Sequence, residues 1–302
     1  MTDHRPAPFP AHLLAPADPA VLPLPFPARP APGVRLLRGA VYAVPEGSRP
    51  LTADVWLPAV TDGPPPVVVF VHGGGWHTGL RDDLGPRFRH WRPGPFARLA
   101  LAGFAVVCPD YRLSGEAHHP AQTDDLAAVL AWLRARADDL GIDTGRTVLW
   151  GESAGGHLAA LTALTRPGVA GCVTWYAPTD LLGLADDMPA RYDLTDADSF
   201  EARLIGGPPA HRPDAARDAS PAALAGPEAP PFLILHGTDD VLVPALQAVR
   251  LAEALRAAGH RPELRLVPGG NHLWTGLPDE GVADCFTRTV DFARACTGGG
   301  RA

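Results

Sequence analysis

From residue 66 onward, short apolar runs rich in β-branched side chains alternate with segments of helical period. The runs are Val67 to Val71, Ala105 to Cys108, Thr147 to Trp150, Gly171 to Trp175, Phe232 to Leu235 and Glu263 to Val267. Runs with no polar alternation suit strands covered on both faces, so the pattern predicts an α/β fold with a doubly wound, mostly parallel sheet. Upstream, Val34 to Val44 and Leu51 to Leu57 are parted by Pro45-Glu46-Gly47-Ser48 and read as a starting antiparallel pair. Helical period is plain from about Ala121 to Leu140, where Leu126, Val129, Leu130 and Leu133 fall at i, i+3, i+4 and i+7 and Gly141 stops the run. Val282, Cys285, Phe286, Val290 and Ala293 repeat the device near the C-terminus.

Two stretches break this alternation. Residues 1–33 carry ten of the 35 prolines. Proline fixes φ and removes a donor, so this extension is expected to form no regular ladder and to lie extended over the body. Residues 182–229, rich in Pro, Ala and Asp, are too long for an ordinary connection and are expected to be an insertion, a partial lid over the strand ends. No polar linker divides the remainder, and 302 residues at 46% hydrophobic content can bury a sizeable core. One domain is therefore expected over residues 34–302, with about 182–229 inserted in it.

Charge and cysteine usage narrow the chemistry. The net charge is −7, from 26 basic and 33 acidic residues, and no basic stripe could follow a phosphate backbone, so nucleic acid is not an expected partner. No stretch approaches the roughly 20 apolar residues of a membrane span. The opening MTDHRPAPFPAHLL lacks the charged start and proline-free apolar run of a secretory signal. Cys108, Cys172, Cys285 and Cys296 are scattered, with no CxxC pair, and fit buried, reduced thiols in a cytoplasmic protein. His118-His119 with Asp124 and Asp125 makes a poor metal pattern, because adjacent histidines do not share a helical face and Pro120 interrupts. No metal or other cofactor is expected, and nothing in the chain points to an oligomeric state.

Open α/β sheets bind ligands beyond the carboxyl ends of their strands, so reactive groups directly after a strand matter most. Four such segments stand out: His72-Gly73-Gly74-Gly75-Trp76, Gly151-Glu152-Ser153-Ala154-Gly155-Gly156, His236-Gly237-Thr238-Asp239-Asp240 and Pro268-Gly269-Gly270-Asn271-His272. The second fits G-x-S-x-G between a strand and an Ala/Leu helix (roughly Ala154 to Leu164), a tight turn that presents Ser153 Oγ at a helix N-terminus. Neither GxGxxG nor GxxxxGK[ST] occurs, which removes a phosphate loop. A serine needs a base to take its proton and a carboxylate to hold that base, in the chain order Ser, acid, His. Beyond the adjoining Asp239 and Asp240, which composition cannot separate, lie His260 and His272. His260 precedes the last strand and falls at the opposite sheet edge, whereas His272 follows it on the Ser153 side. The amides of Gly74, Gly75 and Ala154 suit an oxyanion hole. His72 reads as a structural hydrogen-bonding residue, and Glu152 likewise. Trp76, Trp175 and Tyr176, just past strand ends, are expected to wall a substrate pocket.

Together these segments resemble α/β-hydrolase esterases of the acetylesterase and feruloyl-esterase-like (BD-FAE-like) branch, related to the hormone-sensitive-lipase group. The resemblance covers roughly residues 34–295 and rests on HGGGW at 72–76, DYRLSGEAHHPAQTDD at 110–125, GESAGGHLAAL at 151–161, WYAPTDL at 175–181, PPFLILHGTDDVLVP at 230–244 and GGNHLW at 269–274. It implies an acid in a pattern like HG-x-x-D-x-x-V-P, which selects Asp240, and an oxyanion hole from the glycines after His72 with Ala154. The chain departs from the family in its proline-rich extension and in His118-His119, where a basic-aromatic pair is more usual. The expected activity is hydrolysis of small, short-acyl carboxylic esters by a Ser153, His272 and Asp240 triad through an acyl-enzyme. The alternatives are an amide hydrolase, such as an arylformamidase or an oligopeptidase-like enzyme, and a non-catalytic ligand-binding relative, since fold alone does not fix function.

Overall fold

A computed structural model describes residues 18–298 of the protein. The chain opens with three antiparallel strands, β1 (Ala28–Ala31), β2 (Val34–Ala43) and β3 (Leu51–Pro58), followed by β4 (Pro66–Val71), α1 (Pro95–Leu101) and β5 (Ala105–Pro109). Then come α2 (Ala121–Ala135), α3 (Ala137–Leu140), β6 (Asp143–Glu152), α4 (Ala154–Thr165) and β7 (Gly171–Trp175). Four short helices follow, α5 (Leu184–Asp187), α6 (Phe200–Ile205), α7 (Pro213–Asp218) and α8 (Pro221–Leu224). The chain closes with β8 (Phe232–Gly237), α9 (Leu246–Ala257), β9 (Glu263–Val267) and α10 (Asp279–Cys296). All strands join one nine-stranded sheet in the order β1-β2-β3-β5-β4-β6-β7-β8-β9, parallel from β5 through β9.

Strand β4 explains why its sequence carries no polar alternation. Val67, Val69 and Val71 point into a core shared with α2, α4 and α9, while Val68 and Phe70 point into a second core under α1 and α10. Every residue needs an apolar side chain because both faces are covered. Among the parallel strands the exception is β9, at the sheet edge, where Glu263, Arg265 and Leu266 are exposed.

Two expectations need correction. The proline-rich extension does form a ladder: β1 pairs with β2 through Ala28 to Leu36 and Ala31 to Val34. Pro30 is tolerated because β1 is an edge strand, where a missing donor breaks no ladder on the open side. Just before it, the Pro19 and Leu22 carbonyls accept hydrogen bonds from Trp132 Nε1 on α2 and from Arg136 just after it, at 3.2 and 2.7 Å. Residues 1–17 of the extension lie outside the described residues. The single helix expected from Ala121 to Leu140 is two, because Arg136 leaves helical φ/ψ at their junction, and Gly141 in the left-handed region then ends the second.

Candidate active site

Ser153 sits at the junction of β6 and α4 with φ 52° and ψ −124°, an uncommon conformation for a side chain other than glycine. The turn is so tight that a Cβ on Gly155 would lie 2.0 Å from the Val71 carbonyl oxygen, and one on Gly151 would lie 2.2 Å from that of Gly155. The small residues around the serine are thus a packing requirement, and their result is a hydroxyl thrust out at the mouth of a helix.

His272 reaches that hydroxyl from the loop after β9. Its Nε2 lies 3.0 Å from Ser153 Oγ, and its Nδ1 lies 2.7 Å from Asp240 Oδ2. An ionised carboxylate only accepts, so Nδ1 carries the proton and Nε2 is left free to take the serine's. Asp240 Oδ1 accepts from the Leu242 and Val243 amides, each at 2.9 Å. Burial opposes its charge, but the His236 ring 3.5 Å away and the hydrogen bonds from His272 and Val243 outweigh it and hold the carboxyl well below the usual aspartate range. Asp239 turns the other way, exposed and bonded to the Thr238 hydroxyl at 2.7 Å. His260 is remote, its Nε2 on the Gly226 carbonyl.

The loop after β4 supplies the opposite side. Among the described residues, the N–H groups of Gly74, Gly75 and Ala154 have no hydrogen-bond partner, and all three residues line one cavity with Ser153 and His272. Glu152 ties this loop to the serine turn, accepting from the Gly73 amide at 2.7 Å from a buried position where desolvation raises its pKa. His72 is structural, buried against the Tyr111 ring with Nδ1 on the Gly73 carbonyl at 2.8 Å.

The cavity has a volume of about 670 Å3. Of the three aromatics expected to wall it, only Trp76 does. Trp175 ends a strand buried on both faces and points under the sheet, its Nε1 donating to Thr289 on α10 at 3.0 Å and its ring 4.8 Å from Trp150. Tyr176 lies behind His272, ring centroids 4.7 Å apart, and so backs the imidazole instead of the substrate. The other walls come from the region 182–229, through Leu184, Met188, Tyr192, Phe200 and Glu201, and from Val241, Leu242 and Leu273. His118 and His119 are engaged elsewhere, His118 Nδ1 on the Arg203 carbonyl and the His119 amide on that of Leu204.

Several residues that hold the site escaped the sequence reading. Asn271 Oδ1 accepts from the amides of Val241 and His272 at 3.1 and 2.7 Å, locking the acid's loop to the base's loop; its place immediately before His272 is the one signal that pointed to it. Leu273 and Trp274 lie in the left-handed region, at φ 59° and 58°. Arg87 clamps that bend, donating to the Trp274 and Leu277 carbonyls at 2.9 and 2.7 Å.

The BD-FAE family model matches residues 53–255, which is two thirds of the chain and takes in Ser153 and Asp240. The chain belongs to the BD-FAE family. It is 32% identical over 232 residues to esterase LipC of Mycobacterium tuberculosis, covering 72% of this chain and 56% of that one. The chain spans about half the length of the curated relatives it matches. Among solved structures it is similar to a truncated carbohydrate esterase from gut microbiota (TM-score 0.71, 26% identity, 82% of this chain and 91% of that one). It is also similar to the Est2 esterase of Thermogutta terrifontis with propionate bound (TM-score 0.67, 25% identity, 86% and 93% coverage). The fold is that of the α/β-hydrolase esterases, a mostly parallel sheet with antiparallel strands at its N-terminal side. Among the described residues no helix is long and apolar enough to cross a membrane.

Proposed function

We propose that the chain is a serine carboxylesterase acting on small, short-acyl esters through an acyl-enzyme. Ser153 Oγ attacks the ester carbonyl carbon as its proton passes to His272 Nε2, and Asp240 balances the imidazolium that forms. The oxyanion is held by the Gly74, Gly75 and Ala154 amides, donors for which one loss costs about 3 kcal/mol in transition-state stabilisation. His272 then protonates the departing alcohol, and water attacks the acyl-serine by the same proton path to release the acid.

The observation that carries this reading is the unbroken chain from Ser153 Oγ to His272 to Asp240 at 3.0 and 2.7 Å, on the same cavity as three unpaired amides. Similarity to named esterases and to one holding propionate supports the ester class and a short acyl group. The domain reading belongs to the proposal too: residues 34–302 as the catalytic unit, about 182–229 as its partial lid, and residues 1–33 as an extension without catalytic role. The four cysteines carry no disulfide, which supports a cytoplasmic setting.

Labelling by a fluorophosphonate, lost in Ser153→Ala, tests the nucleophile. A wild type that resists labelling favours a non-catalytic relative. Turnover of p-nitrophenyl esters from acetate to octanoate, beside N-formylkynurenine and an aminoacyl anilide, tests the substrate. The acetate and propionate esters are expected to dominate, and dominance of either amide overturns the ester assignment.

A further inference from the structure

The wall of the cavity built by residues 182–229 carries a buried acid that the proton relay does not use. Glu201, in α6, is 8% exposed and lines the cavity. Among the described residues its carboxylate accepts no hydrogen bond, and the Tyr192 hydroxyl is itself buried without a partner, while burial and nearby Asp196 oppose the charge of Glu201. Arg191 lines the same cavity but is exposed and is not among the groups acting on Glu201. Among the described residues no basic side chain forms an ion pair with it. A desolvated carboxyl without a counter-charge is costly, and an incoming cation offsets that cost more than any neutral group can.

Two aromatic residues, Tyr192 and Phe200, line the same cavity. The Phe200 ring, half exposed, presses on the oxyanion loop: a Cβ on Gly75 would lie 2.7 Å from Phe200 Cδ1. Asp196 adds negative charge to the lining, Asp198 is paired with Arg203 at 3.5 Å, and Val241, Leu242, Val243 and Leu273 make another part of the wall apolar. A carboxylate and aromatic rings lining one cavity are the chemistry that holds an organic ammonium, by a charge-assisted hydrogen bond and by the ring quadrupoles.

We propose that Glu201, with the rings of Tyr192 and Phe200, forms a subsite for an organic cation, an ammonium group carried a few bonds from the scissile ester. This rests on the hydrolase reading above and adds to it the class of substrate. Glu201 acts on specificity, and Ser153, His272 and Asp240 act on the bond.

The test compares two isosteric esters at about pH 7, 2-(dimethylamino)ethyl acetate, which carries a protonated amine, and 3-methylbutyl acetate, which carries a CH in its place. The expected kcat/KM ratio is about tenfold or more in favour of the cation, falling to near one in Glu201→Gln. Comparable turnover of both esters by the wild type overturns the cation subsite and leaves the esterase intact; turnover of neither, with no fluorophosphonate labelling, sinks the esterase itself. A preference that survives Glu201→Gln removes Glu201 from the subsite. Should that variant fail to fold, inhibition of the wild type by 2-(dimethylamino)ethanol against 3-methyl-1-butanol makes the same comparison: a weaker or equal effect of the amine overturns the proposal.

Discussion

The Trp76 indole N–H donates to Nδ1 of His157 across 3.1 Å, joining the oxyanion loop to the helix that begins at the nucleophile. The bond fixes the tautomer: His157 must carry its proton on Nε2, which donates to the Ala219 carbonyl at 2.6 Å. One buried neutral imidazole thereby connects the loop after β4, helix α4 and the end of α7.

That neutrality has an acid cost. Burial pushes the His157 imidazole down from 6.5 to about 3. The unfolded chain takes up a proton in that interval and the folded chain does not, so the contribution is fully present above about pH 6.5 and fades as pH falls toward 3. The slope reaches about 1.4 kcal/mol per pH unit. His157→Phe should be less stable at neutral pH, and its urea-unfolding free energy should fall less steeply between about pH 6 and 4. Parallel curves for the two proteins would refute this.

Asp240→Asn should lower kcat on p-nitrophenyl acetate by about 10⁴-fold with little change in KM, because the amide no longer holds the His272 tautomer with Nε2 free. Asp239→Asn should leave kcat near the wild-type value, since that carboxylate faces solvent and Thr238. Equal losses in both variants would contradict the assignment.

Arg87→Ala strips two carbonyls of their donors in the bend that carries His272, where left-handed Leu273 and Trp274 already cost about 1 kcal/mol each. A stability loss of about 1–3 kcal/mol is expected, with kcat reduced more than KM is raised. Chemical denaturation and steady-state kinetics read both effects, and partial recovery of kcat with added guanidinium would identify the missing donor.

Gly155→Ala places a methyl against the Val71 backbone, which cannot yield as a flexible side chain does. A loss of about 1–3 kcal/mol or outright misfolding is expected, together with weaker fluorophosphonate labelling, because relieving the clash moves the serine turn. A variant with wild-type melting and labelling would show that this turn has slack.

Patterns tied to the chain's local period were legible. The run from Val67 to Val71 reads as a two-sided strand because each side chain faces one of two cores; Ser153 follows directly from a strand end and His272 lies in the loop after the last strand. What stayed hidden depends on contacts between distant segments. Trp175 lies at the end of its strand as expected, but the direction of its side chain is decided by Thr289, 114 residues away. Composition does not separate Asp240 from Asp239; the family pattern selects Asp240, and the physical difference between them is the contact of Asp240 with His272. Glu201 sits in a helix of six residues with no chemical motif around it, and its burial depends on how the whole region 182–229 folds back. Proline content alone does not show that Pro30 falls in the outermost strand, where it breaks no ladder on the open side.

That outermost position has a bearing on self-association. An open sheet of this width leaves one row of unpaired backbone groups at each margin, a template on which a second molecule could extend it. Here one margin carries a short strand with a proline in it and the other carries Glu263 and Arg265 facing water. Both discourage molecule-to-molecule strand addition, so the protein can keep a long apolar sheet at its centre without offering that sheet a way to grow.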